Sequence, residues 1–515
     1  TPKRMTLTAY YGPAVGAYME NGTLVSNVTG GAVYNMATVE DVKSYFDAGF
    51  SFVLGDDADY MTYRSIGRAV GDGYEEKDSD GHYLNTDGIK LLELVQAYCD
   101  EYNVPYAKAK VLIKSLYLDG AMKGESTHTD GQIKANISLM YEHLKTFPCF
   151  GGFIVCDEPR GYMADTYNYW YQYLVNDLGV YDDGYILYGA LLGMHAAEVN
   201  VAGSSDDDTG YSKELGLTAE QYETYLQKYI DGLVGSGKDT LCFDYYPFKE
   251  TITSHITGVT TKTSMLGQYF QNLEIFARLS EANGYKRSVC VQSVSFYNKT
   301  LYDEVAKNNL ASYGKSYEYH GKVTQSMMTY QLYCALAYGY DQAAYFTYMQ
   351  PFNQTDSEWF VESAYEWQLQ SDGSYKSVAT DTYTAIKNAN AEILALSAKM
   401  SGYKWLGTAY SAGTTATGSV FGGTTSYASE VLSAVSSDYD AIVGCLKNGD
   451  GKNGFVVVNA DDPRLNRATS VTLSFGSGYS SVSYYENGVK KTAQLTDGKI
   501  TLSVEAGKGL FVIPV

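Results

Sequence analysis

The chain has 515 residues, 45% of them hydrophobic and 19% charged, which excludes wholesale disorder and exceeds one average domain. Its 59 Asp and Glu against 38 Lys and Arg give a net charge of −21, which repels phosphate backbones and argues against a nucleic-acid partner. No apolar run approaches the length of a membrane span. The cysteines at 99, 149, 156, 242, 290, 334 and 445 lack CxxC pairing and lie mostly in apolar segments, so buried thiols are expected, with no disulfide framework and no metal site. The 51 tyrosines, against 4 Trp, offer rings with an apolar face and a polar tip, suited both to core packing and to stacking on sugars.

Short apolar runs alternate with amphipathic ones over the first four hundred residues. Eight runs predict strands: 5–11, 51–55, 109–113, 151–157, 185–193, 240–246, 287–296 and 343–349. Helical patterns follow them. Thr38 with Asp41, and Thr218 with Gln221, have capping-box spacing. Leu266, Phe270, Leu273 and Ala277 share one stripe of a helix that stops at Asn283-Gly284. A further helix closes the series near residue 400. Strands alternating with helices imply a parallel sheet covered on both faces, and eight such units match a (β/α)₈ barrel over residues 1–403. No GxGxxG turn follows the first strand, which disfavours an open doubly wound sheet. Beyond 403 the composition turns to Gly, Ser and Thr with period-two runs, so residues 404–515 are expected to form an accessory antiparallel β-sandwich.

In a parallel barrel the chemistry collects at the carboxyl ends of the strands. The fourth run, "GGFIVCDEPR", ends on Asp157 and Glu158 before Pro159, and the sixth, "LCFDYYPF", carries Asp244. Buried charge is costly unless paired or used. A neutral acid, a second carboxylate and aromatic faces are what glycosidic cleavage needs. Glu158 is the expected general acid, with Asp157 or Asp244 as its partner. Regular alternation would put Ile154, Cys156 and Glu158 on one side and Asp157 on the other, and Pro159 biases Glu158 towards an extended conformation. The structural alternative has Asp157 capping a helix and Glu158 paired with Arg160. Asp56, beside Asp57 after the second strand, is a weaker candidate, because acids there often cap helices. Tyr10, Tyr11, Tyr246, Tyr348 and Trp359 are candidate sugar-stacking rings, and Gln292 ends the seventh strand. Asp206-Asp207-Asp208 lacks EF-hand spacing and reads as a solvated loop.

"FIVCDEP" resembles the Asn-Glu-Pro strand end of the large clan of retaining glycoside hydrolases with (β/α)₈ barrels, whose acid/base corresponds to Glu158. "FDYYPF", "ALAYGYDQAAYFTYMQP" and "NANAEILAL" are similar to segments of family 42-like β-galactosidases, and "LSVEAGKGLFVIPV" to the last strands of the sandwich that often follows such barrels. Two departures stand out. Asp157 replaces the clan's Asn, and the seventh strand holds Gln292 where the clan has its nucleophilic Glu. The adjacent Asp-Glu pair also resembles that of hexosaminidases of families 20 and 123, in which the substrate's 2-acetamido group is the nucleophile.

The resemblance implies a glycoside hydrolase acting on oligosaccharides or glycoconjugates, with no metal or organic cofactor. The alternatives are substrate-assisted N-acetylhexosaminidase action and a glycan-binding barrel without catalysis. An extracytoplasmic bacterial setting is expected from that substrate class and the acidic surface, with no signal-peptide pattern in "TPKRMTLTAYYG" to confirm it.

Overall fold

The computed structural model describes the chain except for residues 1–4, 14–16, 21–22, 27–32, 35–36, 58, 63–75, 78–81, 86, 196–216, 254–259, 307–315, 352–355, 373–374 and 416–419. Within 14–36, 56–86, 260–261, 263–264 and at 375, the backbone at most is described. The triplet at 206–208 lies outside the described residues.

The architecture is α/β. The parallel strands are β1 (Thr6–Ala9), β2 (Phe52–Asp57), β3 (Lys110–Lys114), β4 (Phe150–Ile154), β5 in two pieces (Ile186–Tyr188 and Ala190–Leu191), β6 (Thr240–Phe243), β7 (Lys286–Gln292) and β8 (Gln342–Phe346). One parallel sheet runs β1-β8-β7-β6 to the second piece of β5, and the other runs from the first piece of β5 through β4 and β3 to β2. The two pieces of β5 flank Gly189, and at the opposite edges Ser51 N–H donates to Leu7 O at 2.7 Å. Most of these strands stop short of the expected bounds.

One apolar cluster draws members from both sheets: Phe52, Leu54, Leu112, Ile154, Tyr188, Ala190, Cys242, Cys290 and Ala344, capped by Tyr246, with Tyr10 packed against it. These are alternate residues of successive strands, so one face of every strand from β2 to β8 meets in a common interior. The outer faces pack on the helices in a second, larger cluster. The anticipated capping boxes at Thr38 and Thr218 are formed, and the helix Leu266–Asn283 ends on Gly284 at φ 77°.

The paired glycines in β4 have a structural reason. The β3–β4 register shifts between Phe150 and Gly152, and Gly152 takes φ 132°. A Cβ there would stand 1.9 Å from Ile186 O, so only glycine allows β5 this close. The bulge resets the alternation of the strand just before its acidic end.

From Tyr403 onward the strands pair antiparallel among themselves, in sheets of six and three strands. Phe455, Val457 and Val443 of one sheet share a core with Val471, Leu473 and Leu502 of the other. The helix Gln325–Ala337, buried along nearly its whole length, lies against both regions. Tyr330 donates to Ala460 O (2.8 Å), Thr329 to Gly507 O (2.7 Å), and Thr408 to Ala337 O (2.9 Å). All seven cysteines are free and buried.

Gly444 lets that junction close, since a Cβ would stand 2.2 Å from Ala337 O. Gly444→Ala is therefore expected to cost about 1–3 kcal/mol, the usual penalty of overpacking. Equilibrium urea unfolding checks this, and an unchanged midpoint would contradict the packing described.

Candidate functional site

β4 ends at Ile154, and the next residues turn out of the ladder rather than continuing its alternation. Cys156 joins the outer cluster instead of sharing the inner face with Ile154. Glu158 has φ 48°, in the left-handed region, not the extended conformation expected before proline. Its N–H donates to Ala190 O at 2.8 Å, which anchors the turn on β5. This irregular backbone resolves the alternation problem, because both adjacent acids reach the same solvent-exposed place. A non-glycine residue held at positive φ beside two carboxyls is a feature that recurs at functional sites.

Asp244 follows β6 and is 7% exposed. It hydrogen-bonds the Glu158 side chain, and Gly193 N–H donates to its Oδ1 at 3.3 Å. A Cβ on Gly193 would come within 2.3 Å of Asp244 O, so glycine is needed at that contact. A hydrogen bond between two carboxyls requires one proton. That proton is shared between Glu158 and Asp244. Asp157 completes the cluster, its N–H donating to Asp119 Oδ1 at 3.4 Å, and Asp119 pairs with Lys123 at 3.2 Å.

Asp157 and Glu158 are exposed to water, whereas Asp244 is buried. Desolvation, followed by the neighbouring Glu158 charge, pushes the Asp157 carboxyl up to about 7, with Lys114 and Lys123 opposing. Desolvation likewise raises Asp244 to about 6, against the hydrogen bonds from Glu158 and Gly193.

Aromatic rings flank the acids. Tyr246 stacks on Phe346 with centroids 5.3 Å apart, and Tyr10 lies 6.4 Å from the same ring. Tyr11 is 47% exposed at φ 52° and packs edge-on against Phe346. Other candidates are placed elsewhere. Tyr348 has no exposed surface and sits among Tyr45, Phe50, Tyr365 and Tyr383, so it offers no face to a sugar. Gln292 is buried with its amide committed, donating to Phe248 O (2.8 Å) and accepting from Phe248 N–H (3.0 Å). Trp359 is half-buried in the strand Trp359–Val361, opposite Tyr297, on the other side from Phe360, which packs towards Tyr11. The side chain of Asp56 lies outside the described residues.

A basic group that feels the Asp244 charge escapes the sequence reading. Lys249, in the strand Phe248–Thr253, is buried and contacts His320 Nε2. Desolvation lowers its ammonium to about 8, opposed by Glu318 and Asp244. His195 is lowered to about 3 and His320 falls well below the ordinary range, by burial first and the Lys249 charge second. A lysine inside the aromatic run "DYYPFKE" is a local signal that could have found Lys249; the histidines carry none. Among the described residues no group of three or more His, Cys, Asp or Glu has metal-binding geometry, and no helix is long and apolar enough to cross a membrane.

No protein-family model and no curated protein sequence matches the chain. Solved structures of carbohydrate-active enzymes resemble it along its length. An Anoxybacillus α-amylase aligns with TM-score 0.46 and 9% identity, covering 100% of this chain and 98% of its own. A family 5 glycoside hydrolase from Bacteroides vulgatus gives 0.44 and 11%, covering 98% and 94%. A family 27 β-L-arabinopyranosidase from Geobacillus stearothermophilus gives 0.41 and 9%, covering 100% and 97%. Nothing about this chain's family or activity follows from likeness at that level.

The raised carboxyls set a sign for stability. Between about pH 4 and 7 the folded protein keeps protons that the unfolded chain has released, so their contribution is fully present below the unfolded values and is lost as pH rises through about 6 and about 7. Asp244→Asn removes one such group. The melting temperature of that variant, relative to the parent, is expected to rise between about pH 5 and about pH 8. A pH-independent difference would contradict the raised Asp244 value.

Proposed function

We propose that the chain is a glycoside hydrolase in which Glu158 donates a proton to the leaving glycosidic oxygen, and that its two parallel sheets are halves of one (β/α)₈ barrel. Closure is supported by the continuity of β5 across the sheets, the Ser51–Leu7 bond at the other edge, and the common interior cluster. In this reading the chain divides near 403 into the barrel and an accessory β-sandwich. The observation that carries the functional reading is the acid cluster beyond β4 and β6, with Asp157 and Glu158 exposed to water, a hydrogen bond between Glu158 and Asp244, and aromatic rings alongside. A glycosidic oxygen leaves as an alcohol only if it is protonated, and a retained carboxyl proton at neutral pH supplies that need. The substrate is a carbohydrate chain or glycoconjugate, met outside the cytoplasm of a bacterium.

One geometric fact favours the substrate-assisted form. Glu158 and Asp244 are within hydrogen-bonding distance. Acid and nucleophile of a retaining pair stand about 5–5.5 Å apart, and an inverting pair about 6.5–9.5 Å. Asp244 therefore fits the role of proton partner better than that of second catalytic carboxylate. Asp157, adjacent to Glu158, is the remaining acid. It is suited to accept the N–H of a 2-acetamido group whose carbonyl oxygen attacks the anomeric carbon.

Two experiments test these readings. Against a panel of aryl glycosides, Glu158→Gln is expected to lower kcat by about 10²–10⁴-fold. The loss should shrink for leaving groups that need little protonation. Equal glycan binding with no product from parent or variant would instead leave a binding barrel. Substrate assistance predicts hydrolysis confined to 2-acetamido sugars and inhibition by a thiazoline analogue; turnover of 2-hydroxy sugars would exclude it.

A further inference from the structure

β1, β8, β7 and β6 are neighbours in one parallel sheet, so the chain leaving their carboxyl ends emerges along one rim. Asp244 follows β6 there, and next to it the rim turns apolar. Phe346 ends β8, and Phe296 lies just after β7 in the strand Ser295–Tyr297, which pairs antiparallel with Trp359–Val361. Phe296 stacks on Phe360 at 5.4 Å, and the two rings stand 5.7 and 5.8 Å from Phe346. Tyr246, two residues beyond Asp244, stacks on Phe346 at 5.3 Å. Tyr11, two residues past β1, joins the group at 6.2 Å from Phe346 and 6.0 Å from Phe360.

The placement of Tyr11 is built into the backbone. Its φ of 52° is uncommon outside glycine, and Met349 N–H donates to Tyr11 O at 2.7 Å while Tyr348 N–H donates to Tyr10 O at 3.0 Å. The Tyr11 side chain is exposed and Phe296 and Phe346 are half-buried, so these three residues keep surface towards water. The hydroxyls beside them are committed inward. Thr347 donates to Met349 O at 3.3 Å, Ser293 to Thr347 O at 2.9 Å, and Ser295 to His320 O at 2.8 Å. This stretch of rim therefore presents ring surface.

We propose that Tyr11, Phe296 and Phe346 form the subsite for the leaving group, and that this group is an apolar aglycone, alkyl or aryl, rather than a second sugar. This rests on the reading of the acid cluster as a glycosidase site, and of the two substrate classes given there it selects the glycoconjugate. Seating a sugar against phenyl rings strips water from hydroxyls that gain no partner, whereas an alkyl chain or an aryl ring gains by leaving water. The glycone, with its hydroxyls, is matched to the carboxyls, which leaves the rings to the aglycone. Tyr246 joins the two halves of the site, since it follows Asp244 in the chain and packs on Phe346.

Methyl and octyl glycosides of one sugar release alcohols of similar acidity, so the ratio of their kcat/KM values reads aglycone binding rather than proton donation. For a sugar that the parent cleaves, and below micellar concentrations, octyl is expected to exceed methyl by about tenfold or more. Tyr11→Ala and Tyr11→Gly should each lower that ratio by about threefold or more, and Tyr11→Phe should keep it. Glycine suits φ 52° and keeps the test open should Tyr11→Ala not fold. A ratio near one in the parent, or one unchanged in the folded variants, would overturn the inference and leave the hydrolase reading standing. Saturation-transfer NMR with 4-nitrophenol needs no turnover, and its signal should be present with the parent and lost with Tyr11→Gly. In a protein that cleaves no glycoside, such binding would support the apolar subsite while removing the hydrolase reading, and its absence would remove both.

Discussion

Three carboxyls gathered at one place resist ionising together, and the surroundings of the site follow from that constraint. Asp157, Glu158 and Asp244 stand above an interior lined by Ile154, Tyr188, Cys242 and Cys290, which offers little to solvate charge. A proton is retained because releasing it would bring like charges together in a poorly hydrated place. The backbone brings the acids together with few side-chain bonds. Gly152 lets β5 approach β4, Glu158 turns through a left-handed conformation, and Gly193 donates to Asp244.

The rest of the molecule stiffens that arrangement. Gln292, at the end of β7, is committed to holding Phe248. Arg464 extends the clamp from the C-terminal sheets to Lys249. The buried helix Gln325–Ala337, bonded to those sheets through Tyr330 and Thr329, also supplies Gln331, which accepts from Gln292 N–H at 2.7 Å. The C-terminal region is thus tied by hydrogen bonds to Phe248 and Lys249, which follow Asp244 in the chain. That gives it a part in site geometry although it contributes no acid to the cluster.

The strands were legible because apolar runs bounded by Gly, Pro and acids report burial directly, and the capping boxes at Thr38 and Thr218 appear where their spacing placed them. Asp157, Glu158 and Asp244 could be nominated because each ends such a run. Their mutual geometry could not be read. The strand ends at Ile154 and the chain leaves the ladder there, so alternation carried on to Cys156 misplaced it. Tyr348 and Gln292 show the opposite difficulty: a polar residue at a strand end looks like a ligand until its burial and its bonds are known. Lys249, His195 and His320 come from separate loops and strands, and only the fold brings them together.

The central claim is a carboxyl proton retained near neutral pH, belonging to the cluster rather than to one residue. Infrared titration of the folded protein observes it directly through the carbonyl stretch of protonated carboxyl groups. The account predicts a band that persists through about pH 6, fades as Asp157 and Asp244 ionise, and weakens in Asp157→Asn. A folded protein whose band has vanished by about pH 5, where ordinary carboxyls are already ionised, would contradict it.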